Sequence, residues 1–165
     1  MSLKLGLPFA AGILAADQIS KWWILEVLRL PERFQVRLVD LGAVGFDLTM
    51  VWNRGVTFGL LAGDSPWHRI GLAVLALAVV ALLLRWLARA ENRLSALALG
   101  GIVGGAIGNV IDRLRFGAVV DFADFRIGSF HWYVFNVADA AIVLGVAALI
   151  ADALFRPGRT AKETP

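Results

Sequence analysis

Residues 134–154, VFNVADAAIVLGVAALIADAL, open with an amide and an acid, Asn136 and Asp139, and then run from Ala140 to Ala151 without a charged side chain. A bilayer core about 30 Å thick is crossed by roughly 20 mostly apolar helical residues, so this stretch reads as a membrane span with a polar mouth. Three further stretches qualify. The first covers about 5–25 and is clean through Ala16, then carries Asp17 and Lys21 and ends in Trp22-Trp23. The second covers 67–88, with Trp67 and Trp86 at its two ends, and the third covers 94–111. With the span at 133–154, the expectation is an all-α membrane protein of four transmembrane helices. It forms one domain over 1–156, followed by a polar tail at 157–165. Composition agrees: of 165 residues 59% are hydrophobic, with six Trp, above the apolar share of a soluble domain. Lys4 ahead of an apolar run has the look of a cleavable leader, but Asp17 directly after Ala15-Ala16 fits a retained helix better.

Between the first two spans the pattern changes. FQVRLVDL (34–41) and FDLTMVWN (46–53) alternate loosely with period two around GAVG (42–45), which predicts a small β hairpin lying against the membrane surface, a cradle over about 33–59. It is too small to stand alone. Arg85, Arg89 and Arg93 in a short loop, and Arg156, Arg159 and Lys162 in the tail, fall on the same side as Lys4. Basic residues in short loops mark the cytoplasmic side, so both termini are expected there. The net charge of +3 comes with no basic stripe interleaved with stacking aromatics, which argues against nucleic acid. Zero cysteines exclude a thiol nucleophile, disulfides and thiolate metal sites. His68 and His131 lack the paired spacing of a zinc site, and no metal or cofactor is expected. Ser20 and Lys21, as helix neighbours, point in different directions and make a poor serine–lysine dyad.

Alternating spans gather Asp17, Lys21, Asn53, Asn109, Asp112, Arg113, Asp121, Asp124, Asn136 and Asp139 at one membrane face. Ionisable groups at membrane depth are costly, so their default reading is functional. Asp17 and Lys21, at i and i+4, pair along one helix face. Asn109, Asp112 and Arg113 share another face, where the guanidinium either steadies a carboxylate or grips a substrate carbonyl. Gly100, Gly101, Gly104, Gly105 and Gly108 form a small-xxx-small pattern, read as close helix packing with room for a substrate helix as a further possibility. Asp121 and Asp139 have no basic residue beside them or at three or four positions away. If the 114–132 loop folds back onto the start of the fourth span, the two carboxylates meet in a partly dry place, share one proton, and one pKa rises. That is the equipment of an aspartic hydrolase. Asp124 competes with Asp121 for the loop position.

The blocks DQISK (17–21), WNRGVTFG (52–59), GGAIGNVIDRLRFGAVVDF (104–122) and FNVADAAI (135–142), in this order around four spans, resemble the lipoprotein signal peptidase family, or signal peptidase II. The likeness runs from Ala16 to Ile150. It implies an aspartyl endopeptidase of the bacterial inner membrane with its site near the periplasmic face. Such an enzyme removes signal peptides from prolipoproteins by cutting just before a cysteine that carries a diacylglyceryl group, and is blocked by globomycin-type cyclic peptides. The implied catalytic pair is Asp121 and Asp139. Asn109, Arg113 and Asn136 line the site, while Asp17, Lys21, Asn53 and Asp112 take supporting or substrate-contacting roles. Expected partners are therefore diacylglyceryl-modified precursors and membrane lipid. Thr57, where a small apolar residue is usual, and Tyr133, where Pro is common, depart from the pattern, and neither is expected to touch the pair. The alternative from residues alone is a small proton-coupled transporter, which would hold its key acid near mid-bilayer; the middles of the second, third and fourth spans carry none.

Overall fold

A computed structural model describes residues 2–55 and 66–155 of the chain. Its longest element is helix α4, Arg93–Phe116. Asn92 starts it, its side chain accepting from the Ser95 amide at 2.7 Å, and Gly117 stops it. Gly117 adopts a left-handed φ of 74°, open to glycine without steric penalty, and its N–H returns to the Arg113 carbonyl at 3.0 Å. Around α4 pack α1 (Ser2–Trp22), α3 (Pro66–Ala88) and α5 (Val137–Phe155). The short α2, Leu30–Arg33, belongs to the turn that follows α1. Gly100, Gly104 and Gly108 recur once per turn on the α1 side of α4. A Cβ there would run into the Gly6 carbonyl, the Ala10 carbonyl and the Asp17 carboxylate respectively. Gly105, on the adjoining face, meets the Ala138 carbonyl of α5 in the same way. Gly100, Gly104, Gly105 and Gly108 are thus filled by the protein's own helices, while an apolar groove lined by Phe9, Ile13, Leu97, Ala141 and Leu144 stays open beside Gly101.

Among the described residues three helices are long and apolar enough to cross a membrane: Ile70–Ala88, Arg93–Phe116 and Val137–Phe155. Helix α1 is of comparable length, but Lys4, Asp17, Gln18 and Lys21 dilute its apolar character. In α4, 72% of the apolar stretch is buried inside the protein, against 22% in α3 and 11% in α5. So α4 is the central post, and α3 and α5 turn most of their surface outward, which a lipid environment tolerates and water does not.

The all-α expectation needs correction, because the β structure is more than a hairpin. Strands β1 (Gln35–Asp40), β2 (Val44–Asn53), β3 (Val119–Ile127) and β4 (Phe130–His131) form one antiparallel sheet in that order. The first two come from between α1 and α3, the last two from between α4 and α5. The segment left open in the sequence is therefore the end of α4 followed by an inner strand. It shows no period-two pattern because residues 118–124 are buried without interruption, and a strand covered on both faces loses its alternation. Helix α5 likewise begins at Val137 rather than 133, since Phe135 is still extended and pairs with Ala123 of β3 (N–H to O 3.0 Å, reciprocated at 2.8 Å).

The sheet is seated on the membrane bundle by an apolar cluster of Ile24, Leu30, Leu48, Val120 and Phe122, with Met50 and Phe135 against it. Helix α1 reaches that cluster through a π-helical turn, Trp23–Val27, and α2. Arg29 and Phe34, at the ends of α2, hold positive φ values of 52° and 61°, the sharp turns that redirect the chain from helix to strand. The tail at 157–165, Thr57 and the far end of the expected cradle lie outside the described residues.

Candidate active site

The polar mouth quoted at the outset is a helix cap. Asn136 precedes α5, its Oδ1 accepting the Asp139 N–H at 2.9 Å, while Asp139 Oδ2 accepts the Asn136 N–H at 3.4 Å. This reciprocal pair is a capping box built from Asn and Asp. The intervening Ala138 N–H donates to Asp17 Oδ1 of α1 at 3.0 Å. Free amides in the first turn of a helix need acceptors, and the helix dipole favours negative charge there. Capping therefore draws Asp17, Asn136 and Asp139 to one spot.

A buried network lies behind the cap. Lys21 Nζ reaches Asp17 Oδ2 at 2.8 Å, Asp112 Oδ2 at 2.7 Å and Asn109 Oδ1 at 3.2 Å, with 2% of the lysine exposed. The i,i+4 pairing of Asp17 with Lys21 is present, but the lysine also serves α4. Gln18 Nε2 donates to Asp17 Oδ2 and Asp112 Oδ1, both at 3.1 Å. Asp112 Oδ2 in turn accepts the Val120 N–H of β3 at 3.1 Å. That last bond is the fold-back: it pins the start of β3, one residue before Asp121, to the end of α4.

The two expected acids meet across an amide bridge. Asn136 Nδ2 donates to Asp121 Oδ1 at 2.7 Å, and Asn109 Nδ2 donates to Asp139 Oδ1 at 2.8 Å. Asn136 Nδ2 also lies 3.2 Å from Asn109 Oδ1, linking the two halves. Asn53, at the end of β2, donates to Asp121 Oδ2 at 3.0 Å. Asp121 is wholly buried. That burial, followed by the nearby Asp139 carboxylate, raises its pKa from 3.8 to about 7, against the opposing pull of Asn53, Asn136 and Lys21. Arg113 spans the mouth, Nη2 donating to the Gly55 carbonyl at 2.9 Å and Nη1 to the Asn109 carbonyl at 3.4 Å. Its Nε is buried with no hydrogen-bond partner among the described residues. The nine residues that the resemblance assigns to the site, Asp17, Lys21, Asn53, Asn109, Asp112, Arg113, Asp121, Asn136 and Asp139, thus belong to one connected arrangement.

Asp124 does not join it. Three residues beyond Asp121 on a regular strand, its side chain points to the opposite face, where Thr49 Oγ1 donates to it at 2.9 Å and Asp47 is its cross-strand neighbour. Gln18 was missed as a participant, although an amide between Asp17 and Lys21 on an apolar helix was a legible signal. The backbone contributions of Gly55 and Val120 left no such signal. Burial first, then the charges of Asp121 and Asp139, raise the Tyr133 phenol above the ordinary range. Among the described residues no three His, Asp or Glu side chains gather as metal ligands.

Fold and site together define a helical membrane protein with an amide-bridged carboxylate pair, one acid buried and the other partly so, where its bundle meets an antiparallel sheet. The family model described as signal peptidase (SPase) II matches residues 9–155. The chain belongs to this family, the lipoprotein signal peptidases, which are proteases. It is 44% identical over 158 residues to a lipoprotein signal peptidase of Nitrobacter hamburgensis, covering 93% of this chain and 94% of that one. With the lipoprotein signal peptidase of Beijerinckia indica it shares 51% identity over 140 residues, 85% of this chain and 81% of the relative. A solved bacterial membrane enzyme superposes with a TM-score of 0.77 at 24% identity, covering 97% of this chain and 93% of the other, a likeness of fold. Family membership leaves the transporter alternative without support.

Proposed function

We propose that this chain is an aspartyl endopeptidase of the bacterial inner membrane that removes the signal peptide from prolipoproteins. The cut falls on the N-terminal side of the diacylglyceryl-modified cysteine. The observation that carries the reading is the amide bridge holding Asp121 and Asp139 together, with Asp121 titrating near neutrality. A carboxyl with a pKa of about 7 keeps its proton in a large fraction of molecules at neutral pH, and so can donate to a scissile carbonyl. Asp139 is the partner that takes a proton from the attacking water. Water then adds to the carbonyl carbon and the carbonyl oxygen gains the Asp121 proton; on collapse Asp139 passes its proton to the leaving nitrogen while a hydroxyl of the gem-diol returns one to Asp121, regenerating the starting protonation state.

In this reading α1 is a fourth span, both termini lie in the cytoplasm, and the sheet faces the periplasm. The short basic loop with Arg85, Arg89 and Arg93 supports that orientation. The signal peptide enters as a helix from the bilayer, while the diacylglyceryl group stays in lipid and presents the bond at the end of the bundle. Arg113, whose buried Nε has no hydrogen-bond partner among the described residues, holds substrate main chain, and the β1–β2 cradle closes over the peptide from outside. Asp17, Lys21 and Asp112 keep α1, α4 and β3 in register beneath the pair.

The test is to incubate the purified chain with a diacylglyceryl-modified precursor and locate the cut by mass spectrometry. Cleavage directly before the modified cysteine is expected, with inhibition by a globomycin-type peptide. Asp121→Asn and Asp139→Asn should each abolish it in folded protein, and turnover retained in either variant refutes the pair. Equal cleavage of unmodified precursor refutes the lipid requirement.

A further inference from the structure

Two concave surfaces lie at the end of the bundle away from the acids. The first is a polar cavity of about 220 Å³ at the connection from α3 to α4, walled by Ser2, Leu5, Arg89, Asn92, Arg93 and Ala96. The second is the apolar groove beside Gly101, also about 220 Å³, framed by Phe9 and Ile13 of α1, Leu94 and Leu97 of α4, and Leu144 and Ala148 of α5.

The two follow one another along α1. Ser2 and Leu5 line the cavity and Phe9 and Ile13 the groove, and positions 2, 5, 9 and 13 share one face of a helix with 3.6 residues per turn. Helix α4 repeats the order, with Arg93 and Ala96 on the cavity and Leu97 and Gly101 on the groove. From Ser2 to Ile13 the helix rises about 16 Å, half of a hydrocarbon core about 30 Å thick. A basic cavity at the helix ends that leads into an apolar groove one leaflet deep matches the head and the chain of a phospholipid.

Charge selects the head. Arg89 and Arg93 are exposed and form no hydrogen bond or ion pair with another described residue. Asn92 is already committed, its Oδ1 to the Ser95 N–H and its Nδ2 to Asp152 Oδ2 at 2.8 Å, so the α4 cap is filled and the positive charge is that of the arginines. Glu91 also lines the cavity, and the guanidiniums outnumber it. Basic pockets between membrane helices hold anionic headgroups, and a guanidinium fork fits phosphate oxygens. Burial selects the chain: Gly101 and Ala148 leave depth that larger side chains would fill, and an acyl chain in that depth restores the dispersion contacts an open groove forgoes.

We propose that this face of α1 binds one anionic phospholipid, of the phosphatidylglycerol class. Its phosphate lies against Arg89 and Arg93, and one acyl chain runs along the groove between α1, α4 and α5. The lipid clamps the three helices together and takes no part in hydrolysis, so the inference stands apart from the peptidase reading.

The test uses the full chain, delipidated in neutral detergent, with each variant's thermal midpoint first measured without lipid. Phosphatidylglycerol near saturation should raise the midpoint by about 5 °C or more, and phosphatidylcholine with the same chains should raise it far less. Replacing both arginines (Arg89→Gln, Arg93→Gln) should abolish the rise, and Ala148→Leu, which fills the groove, should reduce it. Lys4→Gln removes a charge at the same end of α1 but outside the cavity lining, and should keep it. Equal shifts from the two lipids, a rise retained in the double arginine variant, or a rise lost as fully in Lys4→Gln each overturn the proposal. Glycerol 3-phosphate, a head without chains, should give no rise; a rise equal to that of the lipid makes this a phosphate site and removes the groove from it. A precursor that abolishes the rise in the Asp139→Asn variant gives the groove to the signal peptide and likewise overturns the assignment.

Discussion

Replacing Asp121 with Asn should change how stability depends on pH. The Asp121 carboxyl titrates at about 7 in the folded protein against 3.8 for an ordinary aspartate. Below about pH 4 both folded and unfolded states hold the proton, and the group favours neither. As pH rises from about 4 to 7 the unfolded chain releases its proton while the folded site keeps it, so folding loses stability through that window and levels off once the folded group is ionised too. At about 1.4 kcal/mol per unit, the total loss is on the order of 4 kcal/mol, of which about 3 kcal/mol falls between pH 5 and pH 8. The carboxamide of the Asp121→Asn variant has no such titration. It does place an amide N–H against the donors of Asn53 or Asn136, a penalty of about 1–3 kcal/mol that is the same at every pH and does not alter the slope. The midpoint of the variant should therefore rise relative to the unaltered chain by roughly 6–12 °C between pH 5 and pH 8. Thermal unfolding in detergent, followed by the fluorescence of the six Trp, reads this directly. Parallel midpoint curves for the two proteins would refute the claim that burial beside Asp139 holds Asp121 protonated.

The same titration predicts that cleavage falls as pH rises through about 7, because the acid form of Asp121 is lost; kcat/KM measured from pH 5 to pH 9 checks this, and a profile flat to pH 9 contradicts it. Lys21→Met leaves Asp17 and Asp112 buried without their cation and should lower stability by about 3–5 kcal/mol, seen as a fall in the melting midpoint. Asn136→Ala removes both the α5 cap and the bridge to Asp121; about 0.5–2 kcal/mol of stability should go, while turnover falls far more than the melt accounts for. Gly104→Ala drives a methyl group into the Ala10 carbonyl and should destabilise by about 1–3 kcal/mol. The control Gly12→Ala, inside α1 where a methyl meets nothing within 4 Å, should not lower the midpoint and should raise it slightly, since alanine favours a helix over glycine by about 0.5–1 kcal/mol.

Much of this site was legible because its chemistry sits where an apolar helix has no reason to be polar. Asp17, Lys21, Asn109 and Asp112 stand out against their spans, and each takes part in the buried network. The capping box of Asn136 and Asp139 was visible as an amide and an acid three residues apart ahead of an apolar run. What escaped was β3. Its residues are buried on both faces, so VVDFADF shows no alternation, and its partners lie some seventy positions away in β2. With the strand unread, the sheet shrank to a hairpin and Asp124 remained a rival for Asp121.

Apolar lengths and their polar mouths are written in the chain itself, since the bilayer sets one length scale and punishes every stray charge. From these follow the helices, the end at which the acids gather, and the set of motifs that marks the family. The choice between Asp121 and Asp124 belonged to tertiary structure. It depends on which way a strand faces, and that phase is set by the pairing of β3 with β2 and by the bond from Val120 to Asp112. The near-neutral titration of Asp121 likewise exists only once β2, β3 and α5 close around it, because desolvation and a neighbouring carboxylate are properties of the packed site and not of the residue.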